Sequence, residues 1–288
     1  LIVAAFRGEV FKQLRRPAVR VTIIILLVLA VGLGYVLTWF IANHPPPATG
    51  RRGGGLTPAD VAALKRGLHP ASLVKQTLGG WASLGGVFAL ILGVLSQGSE
   101  YGWETVKTMY TQWPGRLTML AGKLATLFLT VLVLALSLFA ANAIASYSIT
   151  SIDGGPLAFP PVVDLMKGLG AIVLVFSFWA MFGLGLATLF RQSAMAIGLG
   201  LAYGLVIENL VFGLLAGLNS DTIKTIQEWF PISNAGYLVA SFGASASGGG
   251  PPSAPPLADG PHAALVLVLW VAALVAGTAL LVRRRDVN

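Results

Sequence analysis

One carboxylate in this sequence stands where a charge is hard to keep. Glu208 lies inside an otherwise uncharged apolar run over 194–218, on one helix face with Gly200 and Gly204 at i, i+4 spacing. At 1.5 Å per residue from Ala194 it falls about 21 Å along that helix. A charge at such depth costs at least about 3 kcal/mol, so it must be neutralised, paired or wetted. Two readings stand open. Glu208 lines a cavity that meets a cationic substrate or a proton, or it is a protonated or hydrogen-bonded packing residue with Asn209 or Asn142 as partner. Asn209, Phe178 and Phe182 are the neighbours that would line a path with it, and the aromatics serve equally well as helix packing.

Two further stretches could carry work at a surface. Residues 4–16 form an amphipathic pattern, with Phe6, Val10 and Leu14 on one side and Arg7, Lys12, Arg15 and Arg16 around the rest, interrupted by Pro17. It reads as a helix lying on a leaflet, with its basic residues toward anionic headgroups. Between Gly102 and Pro114, Val106, Met109, Tyr110 and Trp113 recur at i, i+3, i+4 and i+7, with Glu104 and Lys107 on the wetter side. A short helix with exposed aromatics suits docking into a groove on a partner.

Catalysis finds little support. Cysteine is absent, which removes thiolate nucleophiles, disulfides and thiolate metal sites. A membrane serine hydrolase needs a histidine within reach of its serine. His44, His69 and His262 all fall in loops or at the edges of apolar runs. A di-metal protease needs a cluster of ligands, and the apolar runs offer Glu208 alone. No catalytic or metal-ligating set is read. A phosphate-cradling G-x-x-x-x-G-K-[ST] loop is missing too, since Gly122-Lys123-Leu124 lacks both the earlier glycine and the hydroxyl.

The elements that position these residues follow from composition. Hydrophobic residues make up 56% of the 288 and charged ones 10%, with a mean hydropathy of +0.80, against about 25% charged in soluble domains. Few charges over so much apolar surface predict an all-α membrane protein. Runs of about 20 apolar residues cross a bilayer, and they occur at about 19–41, 78–97, 123–146, 168–190, 194–218 and 263–282. The chain reads as one transmembrane domain over 1–288. Its outer loops 43–77 and 219–262 are rich in Pro, Gly and Ser where they are expected to be mobile, and Thr57-Pro58 and Asp221–Phe230 mark short helices within them.

Net charge is +8. In a membrane protein such an excess sets topology and contacts anionic lipid rather than nucleic acid. One side of the six spans collects twelve basic residues (Arg7 to Arg20, Lys107, Arg116, Lys123, Arg191, Arg283 to Arg285) against Glu9, Glu100, Glu104 and Asp286. The other carries seven basic against six acidic. The positive-inside rule therefore predicts both termini in the cytoplasm.

The order of these elements resembles the permease subunit of type-2 ABC transporters, in the broad group of bacterial drug and bacteriocin exporters. Members open on a basic elbow helix, R-x-E-x-x-K-x-x-R-R, matched by Arg7, Glu9, Lys12, Arg15 and Arg16. After the second span they carry an acidic residue, Gly-Thr, and a Pro-x-x-Arg stretch ending in Lys. Here Glu100, Glu104-Thr105, Pro114, Arg116 and Lys123 follow that order, with Trp103-Glu104-Thr105 standing where Gly-Thr follows the acidic residue. The short Arg191-Gln192-Ser193 turn and the Arg285-Asp286 ending match as well.

The resemblance implies a bacterial inner-membrane exporter subunit that dimerises with itself or a close paralogue. A coupling helix between spans 2 and 3 would be carried by Glu100, Trp103, Glu104, Val106, Lys107, Tyr110 and Trp113. That helix would seat on two copies of a separate ATPase, which would hold the ATP and Mg, while this chain would bind no cofactor. An amphipathic drug, peptide or lipid is the implied substrate. An ion-driven secondary transporter or channel using Glu208 is the alternative.

Overall fold

The computed structural model describes residues 2–45, 56–102, 115–218, 220–244 and 257–284, and for 99–102 the backbone alone. The described residues fold into helices and turns, with no strand among them. Six segments are long and apolar enough to cross a bilayer. They are Pro17–Asn43, Pro70–Gly98, Arg116–Asp153, Val162–Phe190, Ser193–Leu218 and Gly260–Arg284, here spans 1 to 6. The chain is a multi-pass membrane protein. Because successive spans alternate in direction, Arg16, Arg20, Arg116, Lys123, Arg191, Arg283 and Arg284 gather at one end. That end is called the basic end and the opposite one the far end.

Spans 2 and 4 form the centre. Each is 56% buried, against 22% for spans 1, 5 and 6, which leaves the latter three at the rim. Glycine makes the central pair possible. Gly93 lies against the Ala180 carbonyl and Gly183 against the Leu90 carbonyl, so closely that a Cβ on either would run into the opposing backbone. Lipid offers no hydrophobic drive between helices, so close backbone approach and dispersion supply the attraction instead. Gly85 and Gly86 leave the spaces that the Phe176 and Trp179 rings fill.

Spans 1 and 5 each contain a six-residue π-helical stretch, Gly32–Leu37 and Ala202–Ile207. Each stretch holds a glycine beneath an indole, Gly34 under Trp81 and Gly204 under Trp179. A π-bulge inserts an extra residue into the helix and is often found at functional sites. In span 5 it leaves Leu205, Val206 and Ile207 exposed while Gly200, Gly204 and Glu208 are all buried.

An N-terminal helix, Ile2–Arg15, packs along the basic end of span 3. Its buried face is polar. Glu9 and Gln13 point inward, whereas Phe11 and Leu14 are exposed. The reason lies in what span 3 presents there. Gly122 lets the backbone at Ala5 and Phe6 settle onto it, and the Thr130 hydroxyl donates to Gln13 Oε1 at 2.6 Å. Lys12 Nζ bonds Glu9 Oε1 at 2.7 Å, and the Arg15 guanidinium lies 5.1 Å from the Phe11 ring centroid. Arg16 Nη1 donates to the Leu95 carbonyl at 2.9 Å, and the buried Lys123 Nζ to the Ser96 carbonyl at 3.1 Å.

At the far end, the helix Pro58–Leu68 starts on a capping box. Asp60 N–H donates to Thr57 Oγ1 at 3.2 Å, and Thr57 N–H to Asp60 Oδ2 at 2.9 Å. Ser146 Oγ then donates to the Leu68 carbonyl at 2.6 Å, tying the end of that helix to span 3.

Candidate functional site

Glu208 is the organising group of the far half. Beyond span 5 the chain forms a short helix, Asp221–Gln227, turns at 228–230, and enters a second helix, Pro231–Ala240. The second helix packs against spans 2, 4, 5 and 6. Its N-cap, Phe230, has no side chain able to accept a hydrogen bond, and Pro231 occupies the first turn. A helix starting this way leaves its next N–H groups without an intrahelical partner.

The Glu208 carboxylate fills the gap. Ser233 N–H donates to Oε1 at 2.7 Å and Ile232 N–H to Oε2 at 3.2 Å. The Ser233 hydroxyl adds a bond to Oε1 at 3.0 Å, and the Tyr203 hydroxyl one to Oε2 at 2.9 Å. An anion is favoured at a helix N-terminus by the aligned peptide dipoles. Four donors occupy the roughly four acceptor positions of a carboxylate.

The carbonyls of the turn are met from the other side. Asn234 Nδ2 donates to the Glu228 and Phe230 carbonyls at 2.7 and 2.8 Å. Trp270 Nε1 donates to the Trp229 carbonyl at 2.9 Å, and His262 Nε2 lies 3.1 Å from the Glu228 carbonyl. Glu208 and Trp270 each sit ten residues inside the far end of their span, about 15 Å along the helix. Their reach places the turn between spans 5 and 6, inside the span ends. Irregular backbone at that depth is tolerated only where protein satisfies its polar groups, and these four side chains do so.

Of the residues singled out in the sequence with Glu208, two join it and two do not. Phe178 and Phe182 stack at 5.9 Å, and Phe182 meets the Tyr203 ring at 5.2 Å, so the aromatics reach Glu208 through Tyr203. Asn209 is exposed and bonds only the Leu205 carbonyl of its own helix, at 3.4 Å. Asn142 lies elsewhere, with Nδ2 donating to Thr77 Oγ1 at 3.0 Å between spans 3 and 2. Arg7, Glu9, Lys12, Arg15 and Arg16 sit on or just after the N-terminal helix at the basic end. Glu100 falls in the last turns of the span 2 helix, its side chain outside the described residues. Trp103, Glu104, Val106, Lys107, Tyr110 and Trp113 lie outside the described residues altogether.

Sequence reasoning passed over Tyr203, Ser233, Asn234 and Trp270. A signal was present in Trp229-Phe230-Pro231-Ile232-Ser233. Pro after an apolar residue starts a helix with no capping side chain, and such a start beside a membrane span needs an acceptor from elsewhere. Among the described residues no group of three or more His, Cys, Asp or Glu side chains could hold a metal ion. Chemically, the Glu208 carboxylate holds the first N–H groups of the helix Pro231–Ala240.

Compared with protein-family models and with curated proteins, the chain matches none.

Proposed function

We propose that this chain is the transmembrane subunit of an ATP-driven exporter of the type-2 ABC kind, embedded in a bacterial inner membrane with both termini in the cytoplasm. Two copies, or one copy and a close paralogue, form the path. Two separate ATPase subunits hold ATP and Mg and drive it through the segment that joins spans 2 and 3. The solute is an amphipathic drug, peptide or lipid.

One observation carries most of the support. The N-terminal helix and the residue after it are bonded to both of the spans that this segment connects, through Gln13 to Thr130 of span 3 and through Arg16 to the Leu95 carbonyl of span 2. Lys123 of span 3 reaches the Ser96 carbonyl and ties those spans to each other. A push on 99–115 would therefore move three helices as one body. The ion-driven alternative draws less support, since four donors already occupy the Glu208 carboxylate.

The test is ATP turnover by a co-expressed ATPase in proteoliposomes containing the full chain. The expected result is that the chain stimulates turnover severalfold. Replacing Trp103 and Tyr110 together by Ala should abolish the stimulation while membrane insertion is retained, because buried aromatics dominate docking energies. Wild-type stimulation in the double variant would refute the coupling assignment. Solute flux in vesicles lacking any ATPase would refute the exporter reading.

A further inference from the structure

The π-helical stretches of spans 1 and 5 are held in different ways. Such geometry is rare in helices, so each stretch needs something that keeps it. In span 1 a neighbour does so. Gln76 Nε2 of span 2 donates to the Gly34 carbonyl at 3.2 Å, and Thr38 Oγ1 donates to the Leu33 carbonyl at 3.2 Å. In span 5, among the described residues, the side chain that bonds the backbone of 202–207 comes from the same helix: Asn209 Nδ2 reaches the Leu205 carbonyl at 3.4 Å. The stronger hold lies just past the stretch, in the four bonds of Glu208.

Helix geometry shows what the stretch does for Glu208. An α-helix turns about 100° per residue, so in a regular helix Glu208 would point about 80° away from Gly200. The extra residue of the π stretch swings Glu208 back to within about 20° of Gly200, and both are buried. Without it, each residue from Ile207 onward takes the place now held by the one after it. Ile207 then comes under the start of helix Pro231–Ala240, with no acceptor for the Ile232 and Ser233 N–H groups. Glu208 moves to the exposed place of Asn209, toward hydrocarbon, where a carboxylate is costly. The charge therefore opposes that register. Ser193–Leu201 packs on spans 2 and 4, so the rotation falls on the far half of span 5. There Asn209, Leu210, Val211, Gly213 and Leu214 are exposed and meet lipid rather than protein.

We infer that Glu208 is the latch of a two-register joint in span 5. With the carboxylate seated, the π stretch is kept and helix Pro231–Ala240 is held. With the carboxylate neutralised or removed, 202–207 relaxes to regular α-helix, Ile207 turns inward and the helix Pro231–Ala240 is let go. The ionisable groups around the latch are Tyr203 on its own helix, Tyr237 on the helix it holds, Glu228 in the turn and His262 of span 6. No lysine or arginine bonds Glu208 among the described residues, so hydrogen-bond donors alone seat it. This inference does not depend on the exporter reading.

The chain has no cysteine, so Ile207→Cys and Val211→Cys each supply a single thiol, capped with a trifluoroethyl group in the full chain in lipid nanodiscs. Broadening of the fluorine resonance by dissolved oxygen, which concentrates in hydrocarbon, reports contact with lipid. Both positions are exposed here, and in the second register they enter the buried places of Glu208 and Phe212. Glu208→Ala should therefore cut the broadening severalfold at both. Deleting Val206, which is itself exposed, removes the stored residue and leaves Glu208 inward. That variant should melt no lower than wild type, and in it Glu208→Ala should leave the broadening unchanged. If Glu208→Ala yields too little folded chain, Glu208→Gln should shift both reporters in the same direction. Unchanged broadening in the folded Glu208 variants would overturn the inference. So would an equal fall with and without Val206, or a Val206 deletion that melts as low as Glu208→Ala.

Discussion

Two buried carboxylates, Glu9 and Glu208, sit at opposite ends of the bundle and are held in different ways. Glu9 meets a cation on its own helix, Lys12, at 2.7 Å, and the Lys12 side chain is 34% exposed, so it can turn toward water if Glu9 is lost. Glu208 meets neutral donors, and two of them are backbone N–H groups. Those N–H groups cannot turn elsewhere without moving the helix that carries them. An ion pair at a rim is a local bond, whereas a carboxylate under a helix start is a support for backbone.

The strongest way to break this contrast is Glu208→Ala. It strips four bonds, three of them to the helix start between spans 5 and 6 and one to Tyr203, and strands the Ile232 and Ser233 N–H groups. Each buried N–H left without an acceptor typically costs about 1–3 kcal/mol, and two are stranded here. Thermal unfolding in detergent, followed by tryptophan fluorescence, should show the loss, and proteolysis within 220–244 should rise. A melt within error of wild type would remove Glu208 from its supporting role. Glu208→Gln sharpens the point. The amide keeps one acceptor oxygen but turns an NH2 toward N–H donors, so a smaller loss of about 1–3 kcal/mol is expected.

At the basic end the expected effects are smaller. Gln13→Ala removes a single bond to Thr130, worth about 1 kcal/mol, and should loosen the N-terminal helix without touching the far half. Hydrogen exchange of residues 2–15 would report it. If exchange also rose within 231–240, the two ends would not be the independent units that their bonding suggests.

Legibility in the sequence followed the same divide. The six spans could be read because each needs only a run of apolar residues, and the observed segments differ from the reading mostly by extra turns at the ends, as at Arg116–Asp153, where charged and polar residues continue the helix past the hydrocarbon. Glu208 was visible as a charge out of place, yet its partners were not. Ile232 and Ser233 contribute backbone atoms 24 and 25 residues away, and backbone N–H groups carry no residue-type signature. The N-terminal helix shows a third case. Its apolar spacing marks a helix correctly but does not tell which face is covered, because in a membrane the polar stripe of Glu9 and Gln13 is the one that needs protein around it.

The smallest effect tests whether a carboxylate under a helix start behaves alike in water and at depth. Asp60 caps the helix Pro58–Leu68 as Glu208 caps Pro231–Ala240, but it is fully exposed. Bonds from the Thr57 hydroxyl and N–H hold its carboxyl below the usual carboxylate range. A depressed value means that the folded form favours the anion. The stabilisation is therefore complete above the unfolded value near 4 and is lost as pH falls through the folded one. Thr57→Ala removes the hydroxyl and should cost about 1 kcal/mol of helix stability at neutral pH. The difference should shrink as pH falls through the lowered folded value of Asp60, because its protonated carboxyl no longer holds the Thr57 hydroxyl and N–H as an anion does. Hydrogen exchange of 58–68 followed from pH 7 down into the acid range measures both numbers. A variant gap that persists undiminished at the lower pH would mean that the Thr57 hydroxyl alone, and not its exchange of bonds with Asp60, holds the helix start.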